Sequence, residues 1–184
     1  MQANYTLNLP HYSIGPDAYS LISDVLRPYG KRVVVIGGET ALAKASPTLL
    51  PALEAAGATV LETMVYGKDA TVANIQKIVD SPAAQEADVI FAVGGGRACD
   101  TVKSAADIMG KPCMTCPTVA SNCAPITAVA VIYKDDGSLD HYHFGKSCPD
   151  HCFINTSVIL DSPQELFWAG LGDALSKQIE VLFA

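Results

Sequence analysis

The chain has 184 residues, of which 49% are hydrophobic and 17% charged, and its formal net charge is −7. That length carries one large domain or two small ones, and that composition buries a sizeable core and excludes a disordered chain. The negative charge argues against a nucleic-acid partner, whose phosphate backbone calls for a basic face, but it leaves room for small anions held by backbone amides.

The first residues, MQANYTLNLPHYSIG, lack a basic region followed by an apolar one, so no secretory leader is expected. No apolar stretch reaches the roughly 18 residues of a membrane span. Six cysteines in a chain of this size, without a secretory signal, read as reduced thiols of a cytoplasmic protein.

Residues 31–38, KRVVVIGG, form a buried-strand run of four β-branched residues ending on two glycines. Residues 39–57 have helical spacing and close on Gly57; Pro47 and Pro51 are expected to split them into a short turn and a main helix. Residues 58–67 read as a second strand, and 71–87 as a helix followed by a loop. DVIFAVGGG, 88–96, is a third strand, apolar throughout as expected where both faces are covered. Residues 97–110 read as a helix ending on glycine, and 111–118 as a short fourth strand. This alternation predicts an α/β fold, a Rossmann-like parallel sheet with crossover helices. The pattern then changes. Residues 126–145 carry DDG between two alternating runs, a β-hairpin signal. Residues 152–163 offer a strand and a turn, and 162–184 start on a Ser-Pro pair and run helical to the last residue.

Three clusters carry chemistry. A strand meeting Gly94, Gly95 and Gly96 and then a helix can cradle a phosphate, because the helix's first amides are unpaired and glycine removes the Cβ atoms in the way. Asp100 and Lys103 lie on the first turns of that helix, with Lys103 in reach of a ligand. A tight turn without ligand is the alternative, and the G-x-G-x-x-G fingerprint is absent. PTVASNCAP, 117–125, follows the fourth strand and sets Thr118, Ser121 and Asn122 on the same sheet edge, suited to hydrogen-bonding a ligand or to an ordinary capped turn. GLGDALSKQIE, 170–180, sets Asp173 in a small-residue helix, where it either needs a metal or basic partner or points to solvent beside Lys177. On the residues alone the solvent reading is preferred. CMTC, 113–116, has metal-like spacing, but on a strand Cys113 and Cys116 face opposite sides, which argues against a zinc site. His141 and His143 share a face of the hairpin and read as exposed polar residues.

Together VGGGRACDTVKSAAD, PTVASNCAPITAVAVIYKDDG, CPDHCFINTSVIL and GLGDALSKQIE occur in the order and at the spacing of the iron-containing alcohol dehydrogenases. The chain resembles their glycerol dehydrogenase branch most, from about residue 10 onward. The resemblance implies an NAD(P)-binding α/β domain over residues 1–161, with 162–184 as the first helix of an all-helical domain. It places the cofactor pyrophosphate at Gly94, Gly95, Gly96, Arg97 and Ala98, and further cofactor contacts at Thr118, Ser121, Thr127, Val129 and Tyr133. It makes Asp173 a ligand of a divalent metal, zinc or iron, rather than a general base, with histidine ligands beyond residue 184.

Two departures bear on specificity. Cys123 stands where glycerol dehydrogenases carry an Asp that contacts the polyol, which suits a less polar alcohol or keto substrate such as a hydroxycarboxylate. Gly38, with Glu39 beside it, stands where an acid receives the adenosine ribose, so NADP is admitted as well as NAD. The implied reaction is hydride transfer between nicotinamide and a metal-bound alcohol or ketone. Alternatives are a lyase resembling 3-dehydroquinate synthase, disfavoured by the lack of a basic cluster, and a non-catalytic nucleotide-binding fragment. A homo-oligomer is expected, and the 184-residue chain alone is expected to show no turnover.

Overall fold

The computed structural model describes residues 9–183. Residues 1–8, part of the segment read as lacking a leader, and Ala184 lie outside the described residues. Six strands pair in parallel in one sheet: β1 (His11–Gly15), β2 (Arg32–Gly37), β3 (Thr59–Val65), β4 (Val89–Gly94), β5 (Cys113–Pro117) and β8 (His151–Asn155). Their order is β1-β8-β5-β4-β2-β3. From β2 the chain moves outward to β3, then returns to the other side of β2 as β4. The reversal opens a crevice between the carboxyl ends of β2 and β4, where open α/β sheets bind ligands.

Alternation along the strands builds a core on each face of the sheet. Val33, Val35, Phe91, Val93, Met114, Cys116 and Phe153 face α2 (Glu39–Ala55) and α1 (Ile22–Leu26). Val34, Ile36, Ile90, Ala92 and Cys113 face α3 (Val72–Val79), α4 (Pro82–Glu86) and α5 (Gly96–Met109). Each fully buried Val, Ile or Phe contributes roughly 1.5–3 kcal/mol, which explains why β2 and β4 are apolar with no polar face. Cys113 and Cys116 thus enter opposite cores, as their spacing on a strand requires. Burial pushes the Cys113 thiol up to about 12 and Cys116 up as well, so both stay protonated.

Two expectations need correction. Pro47 and Pro51 do not break the second helix: α2 runs unbroken through both. Leu42, Ala45, Leu49 and Leu53 make its buried stripe, and both prolines lie on the exposed face. Ala43 and Pro47, whose carbonyls lose their usual helical donors, are exposed residues, so water can replace the missing hydrogen bonds. Residues 71–87 are not a helix and a loop but two helices, because Ser81 caps α4 by accepting from the Ala84 amide and Pro82 opens it. As expected, α2 and α5 end at left-handed glycines, Gly57 at φ +71 and Gly110 at φ +64.

The hairpin is present as β6 (Val129–Tyr133) and β7 (Leu139–Phe144), antiparallel and turning at Gly137. Ala130 and Ile132 dock it on α5. After β8 the expected turn is the short helix α6 (Thr156–Leu160), capped by Asn155. α7 (Gln164–Phe183) then runs to the end of the described residues and buries none of its side chains. No helix among the described residues is long and apolar enough to cross a membrane.

Candidate functional site

The crevice is lined on one side by the end of β2 and the start of α2, with Gly38, Glu39, Thr40 and Ala41. Its other wall is Gly94, Gly95, Gly96, Arg97 and Ala98, and Val119, Ser121 and Asn122 close one end. The volume is about 700 Å³. Gly94 has φ +146, a conformation that favours glycine, and any Cβ there would lie 2.7 Å from the Cβ of Ala98. That geometry turns the chain from strand into α5 within two residues. The opening amides of α5 then face the crevice with no intrahelical partner, and the helix adds partial positive charge. A Cβ on Gly96 would fall 2.6 Å from the Asn122 side chain, so the glycines keep the cradle open.

A second cleft of about 550 Å³ continues from the first, sharing Gly96, Arg97 and Asn122. It is lined further by Asp100, Cys123, Ala124, Thr127, Val129, Val131 and Tyr133. Arg97 sits at the junction. Its guanidinium is paired with Asp69 and lies over the Tyr133 ring, 5.6 Å from the centroid. Two connected clefts meeting at a glycine-rich helix N-terminus fit an elongated dinucleotide with its pyrophosphate at the junction.

Most expected site residues gather here. Gly38, Gly94, Gly95, Gly96, Arg97, Ala98 and Ser121 line the first cleft, and Cys123, Thr127, Val129 and Tyr133 the second. Thr118 stands apart: it is buried behind the glycine loop, its amide donating to the Gly94 carbonyl at 3.3 Å, and it lines neither cleft. Lys103 does not reach a ligand as its spacing suggested. Its side chain is 6% exposed, pairs with Asp100 at 2.8 Å and donates to the Ala124 carbonyl at 2.8 Å. Asp100 in turn accepts from the Val131 amide at 3.2 Å. The pair ties the hairpin and the turn Ala124–Ile126 to α5, a structural task that sequence spacing cannot separate from ligand binding. His141 is exposed as expected, but His143 Nε2 lies 3.0 Å from Asp107 and fastens the hairpin to α5.

The sequence reading missed Tyr66, Gly67 and Lys68, which follow β3 and line the first cleft. The usable signal was position alone, since they leave a parallel strand at the carboxyl edge. The Tyr66 hydroxyl donates to the Lys68 carbonyl at 3.1 Å, and its pKa is raised by burial first and by Asp69 second. Cys123 is exposed, whereas the other five cysteines are buried.

Asp173 sits on α7 with its side chain 36% exposed, and its nearest charged partner is Lys177 at 3.7 Å. Among the described residues no group of three His, Cys, Asp or Glu side chains is placed to hold a metal ion. One carboxylate does not make a metal centre, so these residues fit a dinucleotide but not, by themselves, a metal.

A family model described as iron-containing alcohol dehydrogenase matches residues 10–156. A glycerol dehydrogenase of Escherichia coli O6:H1 is 31% identical over 169 residues, covering 92% of this chain and 46% of its own. Hydroxycarboxylate dehydrogenase A of Escherichia coli K12 is 31% identical over 151 residues, 82% of this chain and 41% of its own. The crystal structure of glycerol dehydrogenase from Schizosaccharomyces pombe superposes with a TM-score of 0.86 at 29% identity, over 97% of this chain and 45% of that one. The chain thus spans less than half the length of these relatives. The glycine-cradled crevice and a family match running from β1 to the start of α6 lead to one conclusion: the chain belongs to the iron-containing alcohol dehydrogenase family.

Proposed function

We propose that this chain is the dinucleotide-binding part of a metal-dependent, NAD(P)-linked alcohol or polyol dehydrogenase. The carrying observation is the pair of connected clefts at the β2–β4 reversal, with three glycines and the α5 N-terminus at their junction. Residues up to 161 form the cofactor domain, and α7 opens a second, helical unit.

The opening amides of α5 and the Arg97 guanidinium hold the pyrophosphate, with Asp69 keeping Arg97 at the junction until the anion arrives. Gly38 leaves the adenosine-ribose end open; Lys68 there suits a 2′-phosphate and Glu39 a 2′-hydroxyl, so the cleft admits NADP as well as NAD. Ser121 offers a hydroxyl at the cleft end, while Thr127, Val129 and Tyr133 line the far cleft. When bound, the nicotinamide supplies the hydride acceptor or donor for a CH–OH carbon. Asp173 would hold a divalent metal, iron or zinc, only together with further ligands that the described residues do not supply.

Cys123 favours a second substrate reading. A cysteine side chain lines the far cleft where the resemblance implies a polyol-binding carboxylate in glycerol dehydrogenases, which suits a hydroxycarboxylate or simple keto compound. Five buried free thiols accord with a reducing compartment, the cytoplasm.

The test is fluorescence titration of the 184-residue chain with NADH and NADPH in parallel, alongside an assay with glycerol and a short 2-hydroxy acid. Saturable binding of one nucleotide without turnover is expected. Absence of binding to both overturns the proposal, and turnover by the chain alone overturns the assignment of metal ligands outside it.

A further inference from the structure

α7 touches the rest of the molecule along one narrow line. Its half-buried positions are Gly170, Asp173 and Ser176, three residues apart on one helical face, and every other described position on it is exposed. At Gly170 the approach is closest. A Cβ there would be driven into the carbonyl oxygen of Ala120 and would lie 2.8 Å from that carbonyl carbon and 3.0 Å from the Cα of Ser121. Those two residues belong to the loop that also carries Asn122 and Cys123, which line the two clefts. Gly172, two positions on, points away, and a Cβ there would meet nothing within 4 Å.

The same face brings α7 to the cofactor cleft. Leu166, one turn before Gly170, lines the first cleft. Lys177, two turns after it, pairs with Glu180 at 3.0 Å and Asp173 at 3.7 Å. Cys123 follows Ser121 by two residues in the loop on which Gly170 is seated. The backbone of one loop residue is therefore seated in the notch left by a missing side chain.

We infer that Gly170 is a positioning residue: by letting α7 rest directly on the Ala120 carbonyl, it sets the register between the loop lining both clefts and the helix that carries Asp173. The inference rests on the proposed dinucleotide reading for its functional meaning, but its geometry does not. Ala at 170 lifts the helix from the loop, because backbone atoms cannot rotate aside as a side-chain end would. Ala at 172 leaves the contact intact and removes a glycine of the same helix.

The experiment compares Gly170→Ala with Gly172→Ala in the 184-residue chain, matched by circular dichroism. The readouts are the rate at which Cys123, the exposed cysteine, reacts with a chromogenic disulfide, and the affinity for NADH. In G170A the Cys123 rate rises and NADH binding weakens, each by roughly tenfold, the scale of an overpacked contact; in G172A both stay at the unsubstituted values. An unchanged Cys123 rate in G170A overturns the inference. If the unsubstituted chain binds no NADH, the dinucleotide reading fails while the thiol rates still decide this one. If G170A does not fold, the unsubstituted chain carries the test: alkylating Cys123 raises hydrogen exchange over residues 164–176 where loop and helix are coupled, and unchanged exchange there overturns it.

Discussion

Gly94 and Gly95 are neighbours with different tasks, and substitution separates them. Gly94 holds φ +146 against the Ala98 side chain, so Gly94→Ala strains the backbone and is expected to cost about 1–3 kcal/mol in chemical denaturation. Gly95 has an ordinary extended backbone, and a Cβ there would press only on a Val119 methyl at 3.0 Å. Gly95→Ala is expected to keep the melting temperature while NADH affinity falls by about tenfold, ~1.4 kcal/mol, in a fluorescence titration. Equal loss of stability in both variants would make the loop a turn and nothing more. Lys103 is the residue whose role spacing concealed. Lys103→Met leaves Asp100 buried and unpaired, at an expected cost of roughly 3–5 kcal/mol in urea unfolding. The double variant Asp100→Asn with Lys103→Met recovers part of that loss, since Asn still accepts from Val131 and no charge is left uncompensated. A double variant as unstable as the sum of the singles would contradict this account.

At the scale of elements, the start of β2 is stapled to the approach of β4 by Asp88. It accepts from the Arg32 guanidinium at 2.6 Å and from the Arg32 and Lys31 amides at 2.9 and 3.1 Å. Those bonds, the Arg32 side chain foremost, hold the Asp88 carboxyl well below the usual carboxylate range. A carboxyl depressed on folding stabilises above its unfolded pKa of about 3.9 and loses that contribution as pH falls through its folded value. The urea midpoint of the chain is therefore expected to drop on acidification below about pH 4, more steeply than that of Asp88→Asn, which has no carboxyl at 88 to titrate. Parallel pH profiles would remove Asp88 as the cause. The prolines of α2 and the capped helix α4 belong to this scale too. The composition of both segments was plain in sequence, but whether a proline breaks a helix depends on where the freed carbonyl points. In α2 it belongs to exposed residues because the buried stripe runs along the opposite side.

For the molecule as a whole, α7 is the element out of balance. Its docked line is Gly170, Asp173 and Ser176, while Trp168 at 60%, Leu175 at 69%, Ile179 at 60% and Leu182 at 75% exposure lie on the opposite side. An apolar face of that extent drives association. The chain is expected to elute in gel filtration at a size that grows with concentration, and Leu175→Gln with Leu182→Gln to shift it toward the monomer; concentration-independent elution would show the face to be innocuous. The sequence by itself determined the parallel sheet, the hairpin and the glycine loop, because strand burial on two faces, turn chemistry and the demand for a left-handed glycine are local or periodic properties written in neighbouring residues. Tertiary structure alone decided that Tyr66, Gly67 and Lys68 join the cleft, that Thr118 lies behind it, that Lys103 serves Asp100 and that Gly170 seats a carbonyl from residue 120. Each depends on strand order and on contacts between segments far apart in the chain, and strand order follows from which crossovers bury the most apolar surface together, a property no single segment carries.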